Sequence, residues 1–182
     1  MSVMTAHALT SKYHTTSTGT KLHYIETGSA SGPLLLCLHG LGGSTDTFIP
    51  LLPHLPPSYT IVLLDFQGFG DSPLTASPNT ISVANHVTHV GDLIAALQGA
   101  SSTPRPGEIV IIGHSLGAIF ALQYAAKHPE AVGGLALLGV GRAAGHIPAA
   151  RRRMCDLATA VRTKGIAFAA EVATKSNFYE AT

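Results

Sequence analysis

Apolar residues fall along this chain in two rhythms. Short, nearly continuous apolar runs at 34–38, 60–65, 108–113 and 134–140 suit strands covered on both faces, as in a parallel sheet. Between them the spacing changes. Val83, Val87, Val90, Ile94 and Leu97 stand four, three, four and three apart, which predicts an amphipathic helix over 83–97. An Ala-rich stretch at 116–127 stops just before Pro129, as helices do, and a further helix is expected over 47–55. Ahead of these lie two β-prone runs, 10–16 and 21–27, parted by Ser17-Thr18-Gly19-Thr20, which reads as a hairpin. After Val140 the character shifts: Met154, Leu157 and Val161 mark a helix over 150–163, Gly165 stops it, and a second helix begins at 166. The expected fold class is α/β, a mostly parallel sheet led by an N-terminal antiparallel hairpin.

Composition narrows the function classes. Hydrophobic residues make up 46% of the 182 and charged residues only 12%, far from the balance of a disordered chain. Eleven Lys+Arg against ten Asp+Glu give a net charge of +1, so neither nucleic acid nor an anionic membrane is an expected partner. No segment is apolar for the roughly 18 residues of a membrane span, and the opening residues lack the basic and apolar regions of a secretory signal. Cys37 and Cys155 are too few and too far apart for a disulfide framework or a zinc site. A cytoplasmic location is therefore expected.

The strongest chemical signal is Gly113-His114-Ser115-Leu116-Gly117, a G-x-S-x-G between an apolar strand and an Ala-rich helix. In such a nucleophile elbow the serine occupies a sharp, strained turn, and side chains at the two glycine positions would collide with the neighbouring strand and helix. The turn would hold Ser115 Oγ at the carboxyl end of the sheet, where open α/β folds place their ligands. A serine attacking a carbonyl needs preorganised donors for the oxyanion. The N–H of Leu116 heads a helix, and His39-Gly40-Leu41-Gly42-Gly43, directly after the strand at 34–38, offers the N–H of Leu41.

With these motifs the sequence resembles the α/β-hydrolase family over nearly its whole length. The resemblance rests on the HG-x-GG turn, the elbow, and Asp65-Phe66-Gln67-Gly68-Phe69-Gly70-Asp71-Ser72. That octapeptide is similar to the family's D-x-R-G-x-G-x-S loop, with Gln67 where Arg is usual. Among its branches the chain looks most like the enol-lactonases and carboxylic-ester hydrolases; a serine nucleophile argues against the dehalogenase and epoxide-hydrolase branches, which use aspartate there. The resemblance implies residues 1–141 as the N-terminal part of the hydrolase core and 142–182 as the start of a helical cap. It implies hydrolysis of a small-molecule ester or lactone by Ser115, an oxyanion hole from Leu41 and Leu116, and a supporting turn of His39, Gly40, Gly113 and Gly117. No cofactor and no metal are implied.

The departure is that family members carry their acid and base after later strands, so the expectation is a chain cut short in the cap with impaired catalysis. A non-catalytic truncated or binding form is the alternative. Asp156, Glu171 and Glu180 lie on helical segments and do not fit the acid role. Among the histidines, His39 is read as holding its loop, His114 as pointing away from Ser115, and His86 and His89 as half-exposed or capping residues beside their helix's apolar stripe; His146 is left open as a base. Arg151-Arg152-Arg153 is read as a solvated helix face, although it could also greet a substrate carboxylate. The run from Leu34 to Asp65 imitates a dinucleotide-binding unit, but Thr45 replaces the third glycine of its fingerprint. Finally, the strand at 134–140 is expected to expose one unpaired apolar edge, and with it a tendency to self-association.

Overall fold

The computed structural model describes residues 9–74, 81–99, 108–140 and 147–177. It divides into two compact units, Met1–Gly141 and Arg142–Thr182.

The first unit is built on a six-stranded sheet. Strands β1 (Thr10–Thr15) and β2 (Lys21–Gly28) form the antiparallel hairpin, closed by the turn at Gly19, and β2 runs antiparallel to β4 (Thr60–Leu64). Strand β3 (Leu34–Leu38) then lies parallel between β4 and β5 (Ile109–His114), and β6 (Val132–Leu138) is parallel to β5, giving the order β1-β2-β4-β3-β5-β6. Within β3 every residue is buried, because alternate side chains enter opposite cores. Leu34, Leu36 and Leu38 join Val62, Leu64, Ile109 and Ile111 on one face, against α1 (Val83–Gln98) and α2 (Leu116–Lys127). Leu35 and Cys37 join Ile61, Leu63 and Ile112 on the other, against Phe48. Burial pushes the Cys37 thiol up to about 12, so this cysteine is an apolar filler.

The helices begin and end where their residues dictate. Ser82 caps α1 by accepting from Asn85 N–H at 3.1 Å, and α2 stops at His128, ahead of Pro129. The segment expected as a helix over 47–55 is instead a 3-10 helix, Thr45–His54. Pro50 and Pro53 within it lack the N–H groups an α-helical ladder needs. Strand β6 lies two residues earlier than the apolar run suggested, starting at Val132 and ending at Leu138 before Gly139 with φ 57°. The second unit consists of α3 (Pro148–Lys164), opened by Pro148, and α4 (Ile166–Asn177), separated from it by Gly165 at φ 83°. No helix among the described residues is long and apolar enough to cross a membrane.

Candidate active site

Ser115 is the one non-glycine residue with positive φ among the described residues, at φ 51° and ψ −109°. It sits between the last residue of β5 and the first of α2, half-buried, and its N–H donates to Leu138 O at 2.8 Å, which ties the turn to β6. Crowding explains both flanking glycines. A Cβ on Gly113 would lie 2.6 Å from Ala118 Cα, and one on Gly117 would lie 2.1 Å from Leu38 O. The helix blocks one position and strand β3 the other, so the strained serine between them has no room to relax.

The turn after β3 packs directly on this elbow. A Cβ on Gly40 would stand 3.1 Å from Ser115 Cβ and 2.9 Å from His114 Nδ1. Gly40 therefore passes the serine at backbone distance, and the next residue, Leu41, is 64% exposed. Leu116 is the first residue of α2, where N–H groups have no partner within the helix. His39 is fully buried with both ring nitrogens engaged: Nδ1–H donates to Gly40 O at 2.7 Å and Nε2 accepts from Phe66 N–H at 3.1 Å. Burial pulls its pKa below the ordinary value, only partly offset by the Gly40 carbonyl. A neutral ring with both nitrogens occupied is a brace between two loops.

The loop that follows β4 is organised around a buried carboxylate. Asp65 Oδ1 accepts from Thr45 N–H at 2.6 Å, and Oδ2 accepts from Asp71 N–H at 3.0 Å and His23 Nδ1–H at 2.7 Å. Gly70 has φ 51°, and a Cβ there would meet the Asp65 carboxylate. Ser72 Oγ donates to Asp65 O at 2.7 Å and accepts from His23 N–H at 2.7 Å, joining the loop to β2. Gln67, in the position where Arg is usual in the related motif, is fully buried. His23, 3% exposed, has a place in this cluster that the sequence reading missed.

A sequence profile described as the alpha/beta hydrolase fold matches residues 33–169, three quarters of the chain, including the turn after β3, the Asp65 loop and the elbow. This chain belongs to the alpha/beta hydrolase family. It is 34% identical over 124 residues to Lipase 1 of Psychrobacter immobilis, an alignment covering 68% of this chain and 37% of the lipase. A crystal structure of an alpha/beta hydrolase from Novosphingobium aromaticivorans superposes with a TM-score of 0.63 at 28% identity, covering 71% of this chain and 43% of that one. Epoxide hydrolase A of Mycobacterium thermoresistibile shares the fold with a TM-score of 0.62 at 20% identity, over 71% of this chain and 39% of its own. The chain spans 37% of the length of the lipase.

Around the hydrolase elbow, no histidine among the described residues hydrogen-bonds to Ser115. His114 lies exposed at the end of β5. His86 and His89 are not half-exposed: both are 4% exposed, because α1 is covered by α2 on one side and by the tip of the hairpin on another. His86 stacks on Phe120 with centroids 5.0 Å apart and donates from Nδ1 to Ser82 O, while His89 Nε2 meets Thr18 Oγ1 at 3.3 Å. His146 and Glu180 lie outside the described residues. Arg151, Arg152, Arg153 and Asp156 are exposed along α3, and Glu171 pairs with Lys175 on α4 at 2.6 Å.

Proposed function

We propose that this chain supplies the nucleophile and oxyanion turn of a hydrolase acting on a carboxylic ester or lactone. The observation that carries the reading is the strained Ser115 between two glycines that admit no side chain, with the His39–Gly43 turn against it. In this reading Ser115 Oγ attacks the carbonyl carbon, and the N–H groups of Leu41 and Leu116 receive the charge that develops on its oxygen. The proton leaves Oγ for a base held by an acid, both supplied from outside the described residues. Residues 142–182, with helices α3 and α4 among them, serve as the start of a helical cap. The kinship with a protein named a lipase supports the ester class, and a serine in the elbow favours acyl chemistry over the epoxide opening named for another structural relative.

The test is covalent. A fluorophosphonate should leave its adduct on the peptide carrying Ser115, and Ser115→Ala should remove that adduct; a wild-type chain unmodified at Ser115 after long exposure would overturn the assignment. Turnover separates full catalysis from a pocket without it. Loss of base and acid from a serine triad lowers kcat on the order of a millionfold, so this chain by itself should hydrolyse p-nitrophenyl esters far below about 1 per second. A faster rate would mean that one of its own histidines acts as the base.

A further inference from the structure

The hydrogen bonds of the Asp65 cluster continue to the surface through a serine. With Asp65 Oδ2 accepting from His23 Nδ1–H, the matching neutral tautomer has Nε2 as its acceptor, and Ser11 Oγ lies 2.8 Å from that nitrogen. Ser11 is exposed on the edge strand β1; His23 and Asp65 behind it are 3% and 1% exposed. Serine, histidine and aspartate thus stand in one hydrogen-bonded file across β1, β2 and the end of β4, separate from the Ser115 elbow.

We propose that Ser11 is a second reactive serine, activated by His23, that accepts an acyl group from activated carboxylic esters. The file has the features that general-base activation needs. Asp65 is fixed by the N–H groups of Thr45 and Asp71, so its hold on His23 Nδ1 is preorganised. Asp71 places a second carboxylate oxygen 4.0 Å from His23 Nε2. In the step itself Oγ bonds to the ester carbonyl carbon and its proton passes to Nε2. The tetrahedral adduct then expels the alcohol oxygen, which takes that proton from Nε2. The products are an acyl ester on Ser11 and the free alcohol.

His23, Asp65 and Asp71 also lie within 4.8 Å of one another, close enough to suggest a cation site. Both Asp65 oxygens, however, already accept from three N–H groups of the chain, and His23 has spent Nδ1 on one of them. The donor set is arranged to move a proton.

The experiment uses the full chain carrying Ser115→Ala, so that its outcome is independent of the elbow. It is treated with p-nitrophenyl acetate, and the acetyl group is located by peptide fragmentation, which separates Ser11 from the neighbouring Lys12. Ser17 is the internal control: an exposed serine of the same hairpin whose Oγ donates to the Asp92 carboxylate at 2.8 Å rather than to an imidazole. Ser11 should be acetylated at least about a hundredfold faster than Ser17, the low end of what a positioned base contributes. Its rate should reach a plateau as pH rises, whereas an unassisted hydroxyl keeps gaining as hydroxide increases. Ser11→Ala should abolish the fast phase. Acetylation of Ser11 no faster than that of Ser17, or a rate that climbs without a plateau, would overturn the proposal; the pH profile avoids relying on a substitution of the buried His23.

Discussion

Gly117 faces the carbonyl of Leu38 so closely that a methyl group on it would lie 2.1 Å from that oxygen. The first turn of α2 therefore rests directly on the end of β3, backbone against backbone, and the elbow is fixed by contact with the centre of the sheet. Gly117→Ala must push helix and strand apart, and overpacking of this kind costs about 1–3 kcal/mol or more. Gly42→Ala is the comparison. Gly42 has φ 78° but nothing within 4 Å of an added Cβ, so only the backbone conformation resists, at about 1–2 kcal/mol. Urea midpoints should rank wild type above Gly42→Ala and Gly42→Ala above Gly117→Ala, and the Ser115 adduct should be lost in the last alone.

Strain at Ser115 predicts a change in the opposite direction. A non-glycine residue held outside the common backbone regions stores on the order of 1–3 kcal/mol, and glycine would release most of it at a cost of roughly 0.5–1 kcal/mol in chain entropy. Ser115→Gly should raise the unfolding free energy by about 1 kcal/mol while removing the nucleophile. A urea midpoint at or below that of wild type would show that the turn is not strained.

Two buried histidines set the response to acid. His39 and His89 both have pKa values lowered chiefly by burial, with His86 adding to the effect on each. The unfolded chain therefore takes up protons near the ordinary histidine value of about 6.5 while the folded chain does not. Stability should be fully present above that pH and decline as pH falls toward the folded values. Denaturation followed between about pH 7.5 and pH 5 measures it, and His89→Leu should flatten the slope, since it removes one of the two rings whose pKa burial lowers.

Strand β6 predicts association. In the sheet order it stands last, hydrogen-bonded to β5 on one side, and carries Leu135 and Leu138 at 37% and 45% exposure. An apolar strand edge is a template for another chain, and a charge on it is the usual remedy. Sedimentation of the purified chain should show weight-average mass rising with concentration, and Leu135→Lys should lower it. A concentration-independent monomer in both would mean that the edge is covered.

What the sequence made legible was local. The elbow, the turn after β3 and the buried strands are written in contiguous residues, because glycines at fixed offsets and unbroken apolar runs each admit few backbone solutions. His23 was hidden because its partner lies 42 residues away, and only the placing of β2 beside β4 brings them together. The burial of His86 and His89 escaped for the same reason: the periodicity of α1 locates one apolar stripe but not the second element that covers the helix from the hairpin side. Pro50 and Pro53 were visible, yet the pattern around them shows a helix without showing how tightly it winds.

The strand order also governs when the parts of this protein can form. The hairpin β1–β2 precedes the other described elements along the chain, and a two-stranded hairpin is marginal by itself in water. Its neighbour in the sheet is β4, whose first residue follows the end of β2 by more than thirty positions, and β4 is held in turn by β3. The hairpin is thus secured only once a long loop has closed and the centre of the sheet is in place. Its amides should be among the first strand amides to exchange when the folded chain opens locally. Ser11 and His23 meet diagonally across that hairpin, where Ser11 is paired with Ile25 and His23 with Tyr13, but Asp65 reaches them only when the hairpin docks; the file of three is a property of the finished sheet.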